Sequence, residues 1–182
     1  MRRTIFAGLL AGVLGAGGAL AGDVAAALRI AKFDAAGHLQ RPDNLDRWVF
    51  VGAGLGMNYD NKAFSVEHPG SFQVVLMEPS AYEYFKAHGR YADGTMFLLS
   101  FYSTDHAASI DRSGFTPGVL SAFEIHLLDR TKYQEGRAFF NFSKDARQST
   151  VAPPGSACVQ CHVPNGAFDG TFTQFYPSLR AK

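Results

Sequence analysis

The chain has 182 residues, 17 basic and 16 acidic side chains, and a formal charge of +1 with its six His neutral. That balance leaves no electrostatic footprint for nucleic acid or an anionic membrane surface. Hydrophobic residues make up 47%, and 16 Phe, 7 Tyr and one Trp predict a core rich in rings.

Residues 1–21 read as a secretory signal. Arg2 and Arg3 form a positive start, Ile5 to Leu20 is uncharged, and Ala19-Leu20-Ala21 offers the small residues a signal peptidase reads. The run is short and Gly-rich for a membrane span, which needs about 20 strongly apolar residues. The remainder of a twin-arginine signal does not follow the Arg pair. The mature chain is expected to begin near Gly22 and to form one domain, residues 22–182, of ordinary core-forming size.

Turns are expected at Ala35-Ala36-Gly37 and Arg41-Pro42-Asp43-Asn44. Trp48 to Gly52 reads as a short buried strand, and Asn58 to about Gly70 as a loop. Phe72 to Met77 is a second strand, ended by Pro79. Pro79 to Gly89 predicts one short helix with Pro at its start and Gly at its end. Thr95 to Tyr102 is strand-like. Alternation puts Met96 and Leu98 on one face and Phe97, Leu99 and Phe101 on the other. Ser109 to Pro117 reads as a polar loop. Val119 to Leu128 and Arg137 to Phe142 are further strands, and Pro153-Pro154-Gly155 leads into the last segment. The pattern predicts an α+β domain, a predominantly antiparallel sheet with short flanking helices.

That last segment holds Cys158-Val159-Gln160-Cys161-His162, a Cys-x-x-Cys-His sequence, the attachment signature of a c-type haem. Two thiols add to the porphyrin vinyl groups and the adjacent His is placed to ligate iron. No second Cys pair completes a structural zinc set, and the other five His are scattered singly. A disulfide here would close only a tiny loop. A thioredoxin-type pair belongs near the start of a βαβ unit. In bacteria, covalent haem attachment takes place outside the cytoplasm, so motif and signal agree on the periplasm. Helical cytochromes are excluded: neither an early haem motif nor four long amphipathic helices are present.

Several ordered features resemble the cytochrome P-460 family, which includes the cytochromes c′-beta. They are Trp48-Val49-Phe50-Val51-Gly52 after a Pro-containing turn, Glu78-Pro79, the helix ending His88-Gly89, and Asp93-Gly94-Thr95. Phe123-Glu124 with Asp129, Cys158 to His162, and Phe172-Thr173-Gln174-Phe175-Tyr176-Pro177 with Leu179-Arg180 complete the set. The resemblance covers nearly all of the mature chain. It implies a β-rich, usually dimeric domain with one c-type haem. It also implies that a hydroxylamine-oxidising member carries a Lys cross-linked to haem, four residues past the Thr of Asp-Gly-Thr. Here that position is Leu99, and Thr95 to Tyr102 holds no Lys. Lys86 and Lys132 are the alternatives only in a different register.

The departure favours a c′-beta-like protein. If Leu99 faces the haem, Phe97 and Phe101 share its side, giving an apolar distal wall suited to nitric oxide or carbon monoxide. Phe64 is a further candidate cap. Each Phe taken singly is also an ordinary core residue. Glu124 either faces inward, with a carboxyl pushed up by burial, or shares an outward polar face with His126. Arg180 either reaches a haem propionate or is solvated. An electron carrier, with Met57, Met77 or Met96 as a sixth ligand and a partner cytochrome, is the third reading.

Overall fold

The computed structural model describes residues 28–57, 65–108 and 111–180. The proposed signal segment 1–21 and the candidate cap Phe64 lie outside the described residues, and side chains of 107–113 are not described. In chain order the elements are β1 (Leu39–Gln40), a 3-10 turn (Leu45–Arg47), β2 (Val49–Leu55), β3 (Phe72–Met77) and α1 (Pro79–His88). β4 (Thr95–Ala108), β5 (Asp111–Leu128), β6 (Arg137–Ser143), β7 (Gln148–Ser149), α2 (Ala157–Asn165) and a second 3-10 turn (Thr173–Phe175) follow.

The five longer strands form one antiparallel sheet in the sequential order β2-β3-β4-β5-β6. β1 and β7 pair with each other as a small separate ribbon. The α+β class expected from the pattern is the class observed.

Both faces of the sheet are covered, and alternation decides which side chain goes where. Met96, Leu98, Phe123, Ile125, Leu127, Phe140 and Phe142 pack on one face with Leu39 and Trp48. Val51, Val75, Met77, Phe97 and Leu128 pack on the other with Ala81 and Tyr91.

α1 starts as its sequence dictates. Pro79 occupies the first turn, where a missing N–H costs nothing. The Glu78 carboxylate accepts from Ala81 N at 2.9 Å, satisfying an orphan donor. Gly89 ends the helix in the left-handed region, φ 66°.

One expectation is overturned. Of the stretch Ser109 to Pro117 expected as a polar loop, Asp111 to Pro117 is strand, because β4 and β5 continue together past their sheet neighbours as a two-stranded ribbon. Thr104 pairs with Pro117 and His106 with Phe115, and Ala108 pairs with Asp111 across the tip. Register shifts after Phe101, Tyr102 and His106 absorb Gly and Pro that read as strand breakers.

Candidate functional site

The Cys-x-x-Cys-His residues sit on α2. Helical spacing sets Cys158, Cys161 and His162 on one side, since positions three and four apart are neighbours. Gln160 Nε2 donates to Gly155 O at 2.8 Å, and Asn165 Nδ2 donates to Cys161 O at 2.8 Å, tying both ends of the helix down. Pro164 falls in the last turn, and Gly166 follows the final residue. Neither cysteine is in a disulfide, and both are partly buried. Burial pushes both thiols up, and for Cys158 the charge of Glu124 adds to it.

His162 is held by one hydrogen bond and three neighbouring rings. Its Nδ1 lies 2.9 Å from Gly170 O. A carbonyl only accepts, so Nδ1 carries the proton and Nε2 keeps its lone pair. Phe172, Phe139 and His126 surround the ring at centroid distances of 4.5, 4.7 and 4.9 Å. Burial holds the imidazole below its ordinary pKa, against the opposing hydrogen bond to Gly170 and with a smaller contribution from Arg137. A neutral imidazole with a free Nε2 is the form that binds a metal.

His162 borders a cleft between the sheet and the segment Thr171–Tyr176. The space between these elements is about 720 Å³ when the solvent at its open mouth is counted. Its apolar walls are Val75 from β3, Phe97 and Leu99 from β4, Phe139 from β6, and Phe172 and Phe175 from the C-terminal segment. That segment is pressed onto β2: a Cβ on Gly52 would lie 2.7 Å from Tyr176 Cδ1. Gln174 fixes it further, donating to Asn165 O at 2.9 Å and accepting from Ala167 N at 3.1 Å.

Polar residues interrupt the apolar lining, among them Gln73, Glu124, His126 and Thr171. Gln73 donates to Met57 O at 2.5 Å and so holds Met57 at the rim. Glu124 and His126 alternate on β5, and both face the cleft. Burial raises the Glu124 carboxyl above its ordinary value. His126 is buried, stacks on Phe139 at 4.4 Å, and its Nε2 has no hydrogen-bond partner among the described residues. Burial first, then His162 and Arg137, hold it well below the ordinary imidazole pKa. Of the two orientations open for Glu124, the inward one is found, and His126 shares it.

Other sequence expectations divide. Phe97 and Leu99 line the cleft beside Glu124 and His162. Phe101 does not: it lies beyond the lining, half-buried, paired with Gln73 and Ala122 where the first register shift begins. None of the described lining residues is Lys. Lys86 borders a separate groove with Phe168 and Arg180, so Arg180 is exposed on that groove and away from the cleft. Lys132 Nζ sits 3.3 Å from the Phe33 ring centroid. Met77 and Met96 are fully buried core residues, leaving Met57 as the Met at the cleft among the described residues.

The inward His126 and the turn that holds His162 were missed in the sequence. The alternation of Glu124 with His126 and the Asp169-Gly170 dipeptide were the available signals.

The donor set fits a haem. Two thiols and a neutral His with a free Nε2 share one helix side, and a ring-lined cleft lies beside the His. No curated protein matches the chain. A family model described as Cytochrome P460 matches residues 42–173, taking in the whole five-stranded sheet and the Cys158–His162 motif. The chain therefore belongs to the cytochrome P460 family, and a haem is the cofactor that this membership implies.

Proposed function

We propose that the chain is an exported, periplasmic monohaem c-type cytochrome that binds nitric oxide or a similar neutral diatomic. Cys158 and Cys161 hold the haem by thioether bonds, and His162 Nε2 is the iron ligand. The observation that carries the reading is the cleft beside His162: Leu99 stands in its wall with Val75 and Glu124 opposite it on the neighbouring strands, and no Lys lines it among the described residues. When bound, the haem iron supplies the point of attachment for the diatomic. The protein's part is to orient His162, shield that point from water, and withhold amine donors. Against Val75, Phe97 and Leu99 a small neutral ligand loses less hydration than a polar substrate does.

The test is the ferrous absorption spectrum of purified protein with and without nitric oxide, together with its intact mass. A five-coordinate high-spin ferrous form that shifts on adding nitric oxide is expected. A low-spin six-coordinate resting form, or a third covalent link between haem and protein, overturns it.

One observation favours a second reading. Met57 is held at the cleft rim by Gln73, so an electron carrier with a Met57–iron bond is the rival. It requires a Met–iron charge-transfer band that Met57→Leu abolishes. A homodimer goes with the family resemblance, and sedimentation analysis tests it directly.

A further inference from the structure

The carbonyl that holds His162 belongs to an unusual turn. Asp169 is the one non-glycine among the described residues with a positive φ, 49°, and Gly170 follows at 65°. Phe168 and Thr171 exchange backbone hydrogen bonds across the pair, at 2.9 and 3.4 Å. Two successive left-handed residues between such a pair are what a type I′ turn demands, and Asp-Gly is a preferred sequence for it.

Two arginines grip this turn, Arg137 from β6 and Arg130 from the connection between β5 and β6. Arg137, at the start of β6, donates from Nη1 to Asp169 O at 3.0 Å, and its Nη2 lies 3.7 Å from Asp169 Oδ1. Its Nε is anchored on Glu135 O at 3.0 Å. Arg130 donates from Nη1 to Asp169 Oδ2 at 3.3 Å, from Nε to Asp93 Oδ1 at 3.0 Å, and from Nη2 to Tyr91 O at 2.9 Å. The Arg137 guanidinium also lies against Gly170 itself: a Cβ there would fall 1.2 Å from Nη1. The fork therefore occupies the space any other residue would need, and position 170 must be Gly for the grip to exist.

We propose that Arg137 and Arg130 are positioning residues for the iron ligand, acting through the Asp169–Gly170 turn to fix the carbonyl that orients His162. The inference rests on His162 being that ligand. A hydrogen bond from the far ring nitrogen of a metal-bound His sets ring orientation and raises ligand basicity. A guanidinium fork, rigid and multiply bonded, holds a carbonyl more sharply than a Lys point charge does. Release of the turn lets Gly170 O drift, weakens the Nδ1 bond, and makes His162 a poorer donor. The iron–His stretch then falls. The reduction potential rises, because a weaker donor stabilises the oxidised iron less.

Arg137→Lys keeps the charge and removes the fork, so it separates geometry from electrostatics. The readouts are the ferrous iron–His stretching band by resonance Raman and the reduction potential, with haem content and melting temperature beside them. The expected result is a lower, broader stretching band and a higher potential at full haem content. Arg130→Lys, which leaves the Arg137 bond to Asp169 O intact, is expected to move both in the same direction by less. It also serves if Arg137→Lys fails to fold. A fall in melting temperature with an unmoved band and potential overturns the proposal and leaves a purely structural role. Wild-type protein purified without covalent haem instead overturns the cytochrome reading. In that case the His162 tautomer by nitrogen NMR decides the clamp: a shift from Nδ1–H toward Nε2–H in Arg137→Lys supports it, and no shift refutes it.

Discussion

Gly155 and Gly170 offer a matched pair of substitutions that isolates one contact. Both have left-handed backbones, φ 71° and 65°, but a Cβ on Gly155 meets nothing within 4 Å. Gly155→Ala therefore carries only the backbone strain, about 1 kcal/mol. Gly170→Ala carries the same strain and also expels the Arg137 guanidinium, whose Nη1 stands 1.2 Å from the new atom. The expelled group gives up its bond to Asp169 O, a charged hydrogen bond worth about 2 kcal/mol, so the total is about 3 kcal/mol. For a chain of this size each kcal/mol moves the melting temperature by about 3 °C. Gly155→Ala should lower it by about 3 °C and Gly170→Ala by about 9 °C. Thermal unfolding followed by circular dichroism, on proteins of equal haem content, makes the comparison. Equal losses would show that Arg137 swings away freely and that the turn is not gripped.

Two further outcomes follow from burial and alternation. Glu124 has a raised carboxyl pKa, caused by burial, so the folded chain keeps a proton that the unfolded chain loses as pH rises above the ordinary carboxylate range. Wild-type stability therefore falls through that window. Glu124→Gln lacks the fall, so its melting temperature should match wild type near pH 4 and exceed it progressively toward neutral pH; a constant difference across pH would refute the assignment. Phe140, fully buried on the face away from the cleft, should cost about 4 kcal/mol on truncation to Ala. Because its neighbour Phe139 is the one that touches His162, Phe140→Ala should leave the ferrous nitric oxide spectrum unchanged, whereas Phe139→Ala should alter it.

Where local chemistry decided the structure, the sequence was legible. The strand Phe72–Met77 and the helix from Pro79 to its Gly89 cap appear with the expected bounds, because alternation, Pro at the first turn and a left-handed Gly are all local signals. The ribbon through 103–118 was not legible. Gly114, Pro117 and Gly118 argue against a strand taken alone, and only pairing with β4, with its shifted register, outweighs them. At the site, Cys158, Cys161 and His162 are contiguous and declared themselves. The Arg130–Asp169 and Arg137–Asp169 pairs span 39 and 32 positions, and no periodicity connects such residues.

The most instructive ambiguity was Glu124 with His126. Alternating polar residues on a strand normally mean a solvated face, and that expectation holds when nothing covers the face. Here the chain after α2 returns over the sheet, with Phe172 and Phe175 across from Phe97 and Leu99, and the polar pair is enclosed. The same cover brings Phe172 against His162 and places Gly170 O on its Nδ1. One C-terminal segment thus does three things: it closes the cleft, buries a carboxyl and an imidazole inside it, and orients the His162 ring. The haem motif and the sheet are separate in sequence, and this returning segment makes them one site. Loosening it at Gly52, where an added Cβ would strike Tyr176, should therefore disturb the His162 ring and the cleft polarity together, although Gly52 is not among the residues that line the cleft.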